Sequence, residues 1–243
     1  MSEPSCVGGT GCLPASAAGG TGCSSASVAA FLPDVLAAAA MLWAIAAIGL
    51  LAPTEQTMGH AQRILYVHVA LAWCALAGFL CVALSGLGFL LRRDLAWDAW
   101  SQAAAELGWL ACLLTLLTGS LWAHAAWNTW WTWDPRLAAT LILWAIYSGW
   151  LIVRSGVDDP QRRARMGAVL AIVGAIDIPL VVMATRWFRT IHPAAPQMEP
   201  AMRAALWLSV AGFSAFFVIL LVRRRAQLRL ESRLAALESD TDP

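Results

Sequence analysis

Side chains that could bind a ligand are concentrated in a few short stretches of this 243-residue sequence. Residues 127–136 read Trp-Asn-Thr-Trp-Trp-Thr-Trp-Asp-Pro-Arg, and together with Trp122 they hold five of the 14 tryptophans. If the stretch is helical, its spacing places four side chains on one face: Trp127, Trp130, Trp131 and Asp134. An aromatic belt at a membrane interface explains scattered tryptophans, but such clustering of flat indoles indicates a platform for a large, flat and partly charged ligand.

The four histidines are candidate metal ligands. His68 precedes an apolar segment, and His192 lies in Arg189-Thr-Ile-His-Pro193. A single interfacial histidine often only hydrogen-bonds to water or to a carbonyl, whereas a pair of imidazoles could hold haem iron from both sides. Zinc is an alternative, but it usually takes three or four protein ligands, so His60 and His124 would have to join the set.

The charged residues near the tryptophans have two interpretations each. Asp134 followed by Pro135 is a typical helix start, since Asp is a preferred N-cap and Pro suits the first helical position. This interpretation does not exclude a further role for Asp134. Arg63 and Arg136 could extend towards a membrane interface, or they could bind ligand carboxylates bidentately.

The composition predicts the elements that position these residues. The chain is 60% hydrophobic and 13% charged, which excludes a disordered protein and is too apolar for an ordinary soluble domain. Its apolar segments are long enough to cross a bilayer. We predict an all-α polytopic bundle of six transmembrane helices, at residues 35–52, 69–91, 100–122, 137–153, 167–184 and 204–222. The net charge of +1 gives no indication of nucleic-acid binding.

Arginine predicts the orientation of these spans. All 16 basic residues are Arg, and 11 of them follow the second, fourth and sixth spans. The positive-inside rule therefore places that side, with both termini, in the cytoplasm. The loops on the opposite side, residues 53–68, 123–136 and 185–203, then contain all four histidines and the tryptophan stretch.

The predicted organisation has three parts. Residues 1–34 resemble a low-complexity tail, residues 35–222 form the transmembrane domain with the tryptophan segment at 122–136, and residues 223–243 form a cytoplasmic tail with an amphipathic pattern. The absence of CxxC argues against a thioredoxin-type motif and a covalent c-type haem site. Glu106 and Asp177 lie within spans, where such acids are either functional or protonated hydrogen-bond donors.

The pattern Trp127-x-x-Trp130-Trp131-x-Trp133-Asp134-Pro135-Arg136 resembles the WWD signature of the haem-handling proteins of cytochrome c biogenesis. Within that group the chain is similar to the haem exporter protein C (CcmC) family over residues 35–222. The six spans, the segment from Arg63 to Val69 around His68, and Thr190-Ile191-His192 after the fifth span support the resemblance.

The resemblance implies that the protein binds haem b as transient cargo at the periplasmic face of the bacterial inner membrane. His68 and His192 would be the axial iron ligands, and Arg63 and Arg136 would meet the propionates. The porphyrin would be cradled by Trp127, Trp130, Trp131, Trp133 and Asp134. The implied partners are the haem chaperone CcmE, the ABC transporter subunits CcmA and CcmB, and CcmD. The family implies a carrier and not an enzyme.

Three positions depart from the family pattern. Ala70 stands where the family usually has Pro, Asn128 where it usually has Gly, and His124 where related chains often have Lys. Two other functions are compatible with a tryptophan-rich membrane protein. A WWD-type cytochrome c haem-attachment synthase usually has further histidines within the membrane, and a small-molecule permease with an aromatic gate would be expected to show internal repeats. The sequence shows neither feature.

Overall fold

The structure, a computed structural model, describes residues 22–188, 192 and 198–241, with side chains from residue 31 to residue 238 of this set. Residues 1–21 of the predicted tail and the neighbours of His192, residues 189–191 and 193–197, lie outside the described residues. The chain divides into two units, residues 1–33 and 34–243. Helix α1 begins at Gly22, within the stretch that the sequence suggested was a tail.

The described residues form six α-helices and contain no strand. Their bounds are α1 Gly22–Ala46, α2 Gln62–Arg92, α3 Leu95–Trp127, α4 Pro135–Ser155, α5 Pro160–Trp187 and α6 Pro200–Thr241, with a π-helical turn at Ala47–Leu51 after α1. All six contain a segment long and apolar enough to cross a membrane. The all-α prediction with six spans is confirmed, while the orientation of the termini stays a prediction.

Asp-Pro pairs begin two of the helices. The Asp134 side chain accepts a hydrogen bond from the Arg136 backbone N–H at 3.0 Å, and Pro135 is the first residue of α4. Asp159 caps α5 in the same way, before Pro160. In both pairs the carboxylate satisfies a backbone donor that the first helical turn leaves unpaired, and proline needs no such bond. The predicted cap at Asp134 is confirmed.

The tryptophan segment is not one continuous helix. Helix α3 ends at Trp127, and Asn128 adopts a left-handed conformation with φ 54°, its N–H bonded to the His124 carbonyl at 3.0 Å. Glycine adopts this conformation without a steric cost and asparagine tolerates it, which accounts for Asn where the family usually has Gly. Residues 128–134 are non-helical, so the helical face considered from the spacing is not formed.

Small residues bring the helices of the second unit together. A Cβ at Gly78 of α2 would lie 3.0 Å from the Cα of Gly108 of α3, and a Cβ at Gly86 would lie 3.1 Å from the Cα of Ala168 of α5. Such close backbone approach is how transmembrane helices pack where no hydrophobic effect drives association. Helix α4 packs against α5 and α3, which fixes its capped end relative to α2 and α3.

A polar cluster joins the helices at the arginine-rich end. The Arg154 guanidinium of α4 makes two 2.8 Å hydrogen bonds to the Asp98 carboxylate of α3 and a third, at 3.1 Å, to Gln102. Glu106, one of the two intramembrane acids, accepts from Arg224 of α6 at 2.6 Å. The cluster therefore ties α3 to α4 and to α6, and it gives Glu106 a structural partner.

Candidate functional site

A cavity open to solvent lies where α3 ends and α4 begins, and the space in it, open solvent included, is about 800 Å³. Its walls come from α2, α3, α4, α5, the non-helical tryptophan segment and His192, which lies between α5 and α6. A wider cleft adjoins it, with about 2160 Å³ of space that includes open solvent, and is lined partly by residues 54–58 and by the start of α6. Five residues line both spaces: His68, Gly119, Trp127, Arg136 and His192. The structure thus brings both candidate histidine ligands to one cavity, from segments far apart in sequence.

The His68 imidazole is fixed by α3. Its Nδ1 lies 3.0 Å from the Thr115 carbonyl oxygen and 3.3 Å from the Thr118 hydroxyl. A carbonyl only accepts, so Nδ1 carries the proton and Nε2 keeps its lone pair. A metal-binding histidine usually donates its second ring N–H to such an acceptor, which fixes the tautomer and the ring orientation. His68 is therefore held in the form that can donate Nε2 to a metal.

Gly119 leaves the space that the His68 ring occupies. A Cβ added there would lie 2.8 Å from the His68 Cε1 and 3.2 Å from its Nδ1. Because these contacts are closer than van der Waals separation, Gly119→Ala should displace the ring from Thr115. We expect a loss of ligand affinity of the same order as for other disruptions of ligand-orienting contacts, about 10–100-fold. Titration of the purified protein with haemin, followed by absorbance, measures this loss.

Gly149 of α4 is the matched control for this substitution. A Cβ at Gly149 would meet no atom within 4 Å among the described residues. Both changes remove a helical glycine and add one methyl group, so they share any effect on helix propensity. Equal affinities for the Gly119→Ala and Gly149→Ala proteins would show that the position of the His68 ring does not matter for binding.

His192 lies between α5 and α6 and contacts two parts of the tryptophan segment. Its Nδ1 is 3.5 Å from Asp134 Oδ1, and its ring meets Trp127 edge-on, with ring centroids 5.7 Å apart. Burial lowers the pKa of His192; Asp134 acts in the opposite direction and Arg136 adds to the lowering. The net lowering favours neutral imidazole, which is the form that binds metal.

The tryptophans divide into lining and non-lining residues. Trp127, Trp130 and Trp131 line the inner cavity. Trp133 is 78% exposed, lines neither space and meets Trp131 edge-on at 5.8 Å. His124 stacks on Trp130, with ring centroids 4.0 Å apart and an interplanar angle of 7°. The structure therefore makes His124 a support for a lining indole.

The two candidate arginines are placed differently. Arg136 lines both the inner cavity and the cleft, at the start of α4. Arg63 lines neither space, although its neighbour Gln62 lines the cleft. His60 also lies outside both linings. Within the part of the chain that the structure describes, no group of three or more His, Cys, Asp and Glu could hold a metal ion, so the structure offers no support for zinc.

Several site residues were not singled out from the sequence. Thr115 and Thr118 orient His68, and Gly119 makes room for it. The cavity is also lined deeper in by Cys112, Thr140, Leu143 and Val181. In the sequence, these residues are marked only by two threonines within a leucine-rich span. Threonines in a span usually hydrogen-bond within their own helix, as Thr118 also does with the Leu114 carbonyl, so they do not indicate a site.

The fold and the site together define a multi-pass helical membrane protein with an aromatic cavity that can present two imidazoles to one ligand. The chain belongs to the haem exporter protein C (CcmC) family, because the family's sequence model, described as "Heme exporter protein C", matches residues 20–239. The resemblance inferred from the sequence is therefore confirmed.

Three bacterial relatives named "Heme exporter protein C" are similar to this chain. The protein of Bradyrhizobium diazoefficiens is 39% identical over 168 residues, 68% of this chain and 63% of the relative, so the match spans less than two thirds of that relative's length. The protein of Paracoccus denitrificans is 35% identical over 218 residues, 86% of this chain and 90% of the relative. That of Rhodobacter capsulatus is 33% identical over 195 residues, 76% and 80% of the two chains.

Proposed function

We propose that this protein binds haem b in the inner cavity and delivers it to the haem chaperone CcmE during cytochrome c maturation. The observation that carries the proposal is the convergence of His68 and His192 on one cavity walled by indoles. The Nδ1 atom of each ring faces an oxygen acceptor, at 3.0 Å for His68 and 3.5 Å for His192. His68 keeps its Nε2 lone pair available, and two imidazoles are the donor set of a six-coordinate haem.

The remaining site residues fit the chemistry of the same cargo. Trp130 and Trp131 provide flat apolar surface for the porphyrin, and Trp127 adds an edge beside His192. The Arg136 guanidinium lies where it can bind a propionate, because it borders both the cavity and the cleft. Trp133 and Arg63 line neither space, and they stay in this proposal as the haem contacts that the family pattern implies.

We further propose that the site faces the periplasm from the bacterial inner membrane. The arginine bias of the loops supports this orientation, because the arginine-rich loops lie on the side opposite the histidine-containing loops. The protein would then act as a carrier without an enzymatic step of its own. The ABC transporter subunits CcmA and CcmB and the small protein CcmD are the partners that family membership suggests.

Haem delivery can be tested in cells that lack their own CcmC and express this chain together with CcmE. We expect CcmE purified from these cells to carry haem, and CcmE from cells with an empty vector to lack it. If the purified membrane protein carries haem and CcmE does not, haem binding is supported and delivery to CcmE is refuted. Absence of haem from both proteins would refute the whole proposal.

The same cells distinguish the proposed carrier from a cytochrome c synthase. If this chain is the only WWD protein present and no further maturation components are supplied, a carrier should yield no cytochrome c with thioether-linked haem. Peroxidase staining of denatured protein detects that linkage. Its appearance would favour the synthase.

A further inference from the structure

The Asp134 carboxylate caps α4 and also lies beside His192. It is only 6% exposed, and its Oδ1 accepts the Arg136 backbone N–H at 3.0 Å as the cap of α4. The same Oδ1 lies 3.5 Å from Nδ1 of His192. A helix cap requires an oxygen acceptor but no charge, and Asn and Ser serve as well as Asp. The cap therefore does not account for a negative charge at this buried position.

The two candidate ligands differ in what contacts their Nδ1 atoms. His68 donates to a neutral backbone carbonyl, that of Thr115, whereas Nδ1 of His192 lies at ion-pair distance, 3.5 Å, from the carboxylate of Asp134. A carboxylate attracts the Nδ1 proton more strongly than a carbonyl does, and this raises the basicity of Nε2. A more basic imidazole stabilises ferric iron more than ferrous iron, because the extra electron density offsets the higher positive charge.

We infer that Asp134 is a positioning residue that orients His192 and biases the bound haem towards the ferric state. The inference rests on the proposed haem site. The Arg136 guanidinium, which borders the same cavity, opposes this bias, but its side chain has no hydrogen bond to His192 among those the structure describes. Asp134 would thus make the two axial ligands chemically unequal.

Asp134→Asn tests the inference because it keeps the cap and removes the charge. We expect ferric haem to bind about 10-fold more weakly, at the lower end of what loss of a ligand-orienting partner costs. With ferrous affinity unchanged, that factor raises the midpoint potential of the bound haem by about 59 mV for a one-electron couple. Spectroelectrochemical titration of the purified haem-bound protein measures it. Asp134→Ser, which also caps well, should give the same direction.

Asp159→Asn is the matched control. Asp159 caps α5 before Pro160, and no hydrogen bond or ion pair that the structure describes joins it to a histidine, so the change removes the same charge from the same kind of helix start. Its midpoint potential should equal that of the unchanged protein. Equal potentials for the Asp134→Asn and Asp159→Asn proteins would overturn the inference, whereas a haem-free unchanged protein would instead overturn the proposed function.

A double-substitution cycle shows whether Asp134 acts through His192. With His192→Ala already present, Asp134→Asn should have no further effect on ferric haem affinity measured by haemin titration. With His68→Ala present, the same change should still weaken binding about 10-fold. An undiminished effect in the His192→Ala background would assign Asp134 to general electrostatics and refute a positioning role.

Discussion

Replacement of both His68 and His192 by alanine should abolish the absorbance spectrum of six-coordinate haem in the purified protein. The two imidazoles line one cavity, and each has an oxygen acceptor beside its Nδ1 atom. Removing both takes away the iron ligands themselves, so the loss of ferric haem affinity should exceed the about 10–100-fold loss caused by disturbing a ligand's supporting contact. Absorbance spectra with and without reductant, at equal protein concentration, measure the result.

His60 provides the control. His60 lines neither the cavity nor the cleft, and His124 stacks on Trp130 without lining either space. The protein with His60→Ala has lost an imidazole that lies outside both spaces and should retain the six-coordinate spectrum; His124 is left unchanged because it supports Trp130. If the spectrum survives the loss of His68 and His192, axial ligation by this pair is wrong, whatever the second protein shows.

Asp98→Ala should cause the largest loss of stability among single substitutions at the arginine-rich end. Asp98 and Arg154 form a bidentate pair at 2.8 Å, with side chains only 11% and 3% exposed. Removing the carboxylate leaves the Arg154 charge buried without its counterion, which costs about 3–5 kcal/mol. The free energy of unfolding in mixed detergent micelles, compared with that of the unchanged protein, measures this cost.

Asp34→Ala is the matched control, because Asp34 pairs with Arg223 at 2.7 Å but both side chains are far more exposed, 55% and 41%. Loss of such a pair should cost no more than about 1 kcal/mol. Replacing both buried partners, with Asp98→Leu and Arg154→Met, should recover most of the stability, since it removes the unpaired charge. Equal losses of stability for Asp98→Ala and Asp34→Ala would show that burial of an ion pair does not increase the cost of breaking it.

The substitutions of Asp98, Arg154 and Asp34 should not alter haem affinity directly. Helix α4 has Arg154 near its end and the capping Asp134 just before its start. At 1.5 Å per residue the two lie about 30 Å apart, so the Asp98–Arg154 pair makes no contact with the haem site. A change in affinity without a change in folded fraction would contradict this separation.

The spans and the helix caps could be predicted from the sequence because each depends on local physics. Apolar length identifies a span, and Asp134-Pro135 satisfies the first turn of α4 without help from the rest of the chain. The sequence predicted only that His68 and His192 lie on the same side of the membrane, from the arginine bias of the loops. Those features account for most of the fold and for the main residues of the site.

The shape of the tryptophan segment and the support of His68 could not be predicted. The helical spacing of Trp127 to Asp134 suggested a shared face, but the left-handed Asn128 ends α3 first, and helix propensity gives no such signal at a single residue. Thr115 and Gly119 become site residues only because α2 packs against α3 at that point. Contacts between helices depend on packing, which single-sequence patterns do not contain.

The cavity draws its walls from four helices and two connecting segments, and this affects the stability of the fold. Because no helix carries the site alone, the cavity exists only while α2, α3, α4 and α5 are packed together. A ligand that binds only this packed state adds to its stability by mass action, by about 2.7 kcal/mol when its free concentration is 100 times Kd. A bound ligand therefore contributes to the stability of the packed helices, and its release returns the protein to the lower stability of the unliganded state.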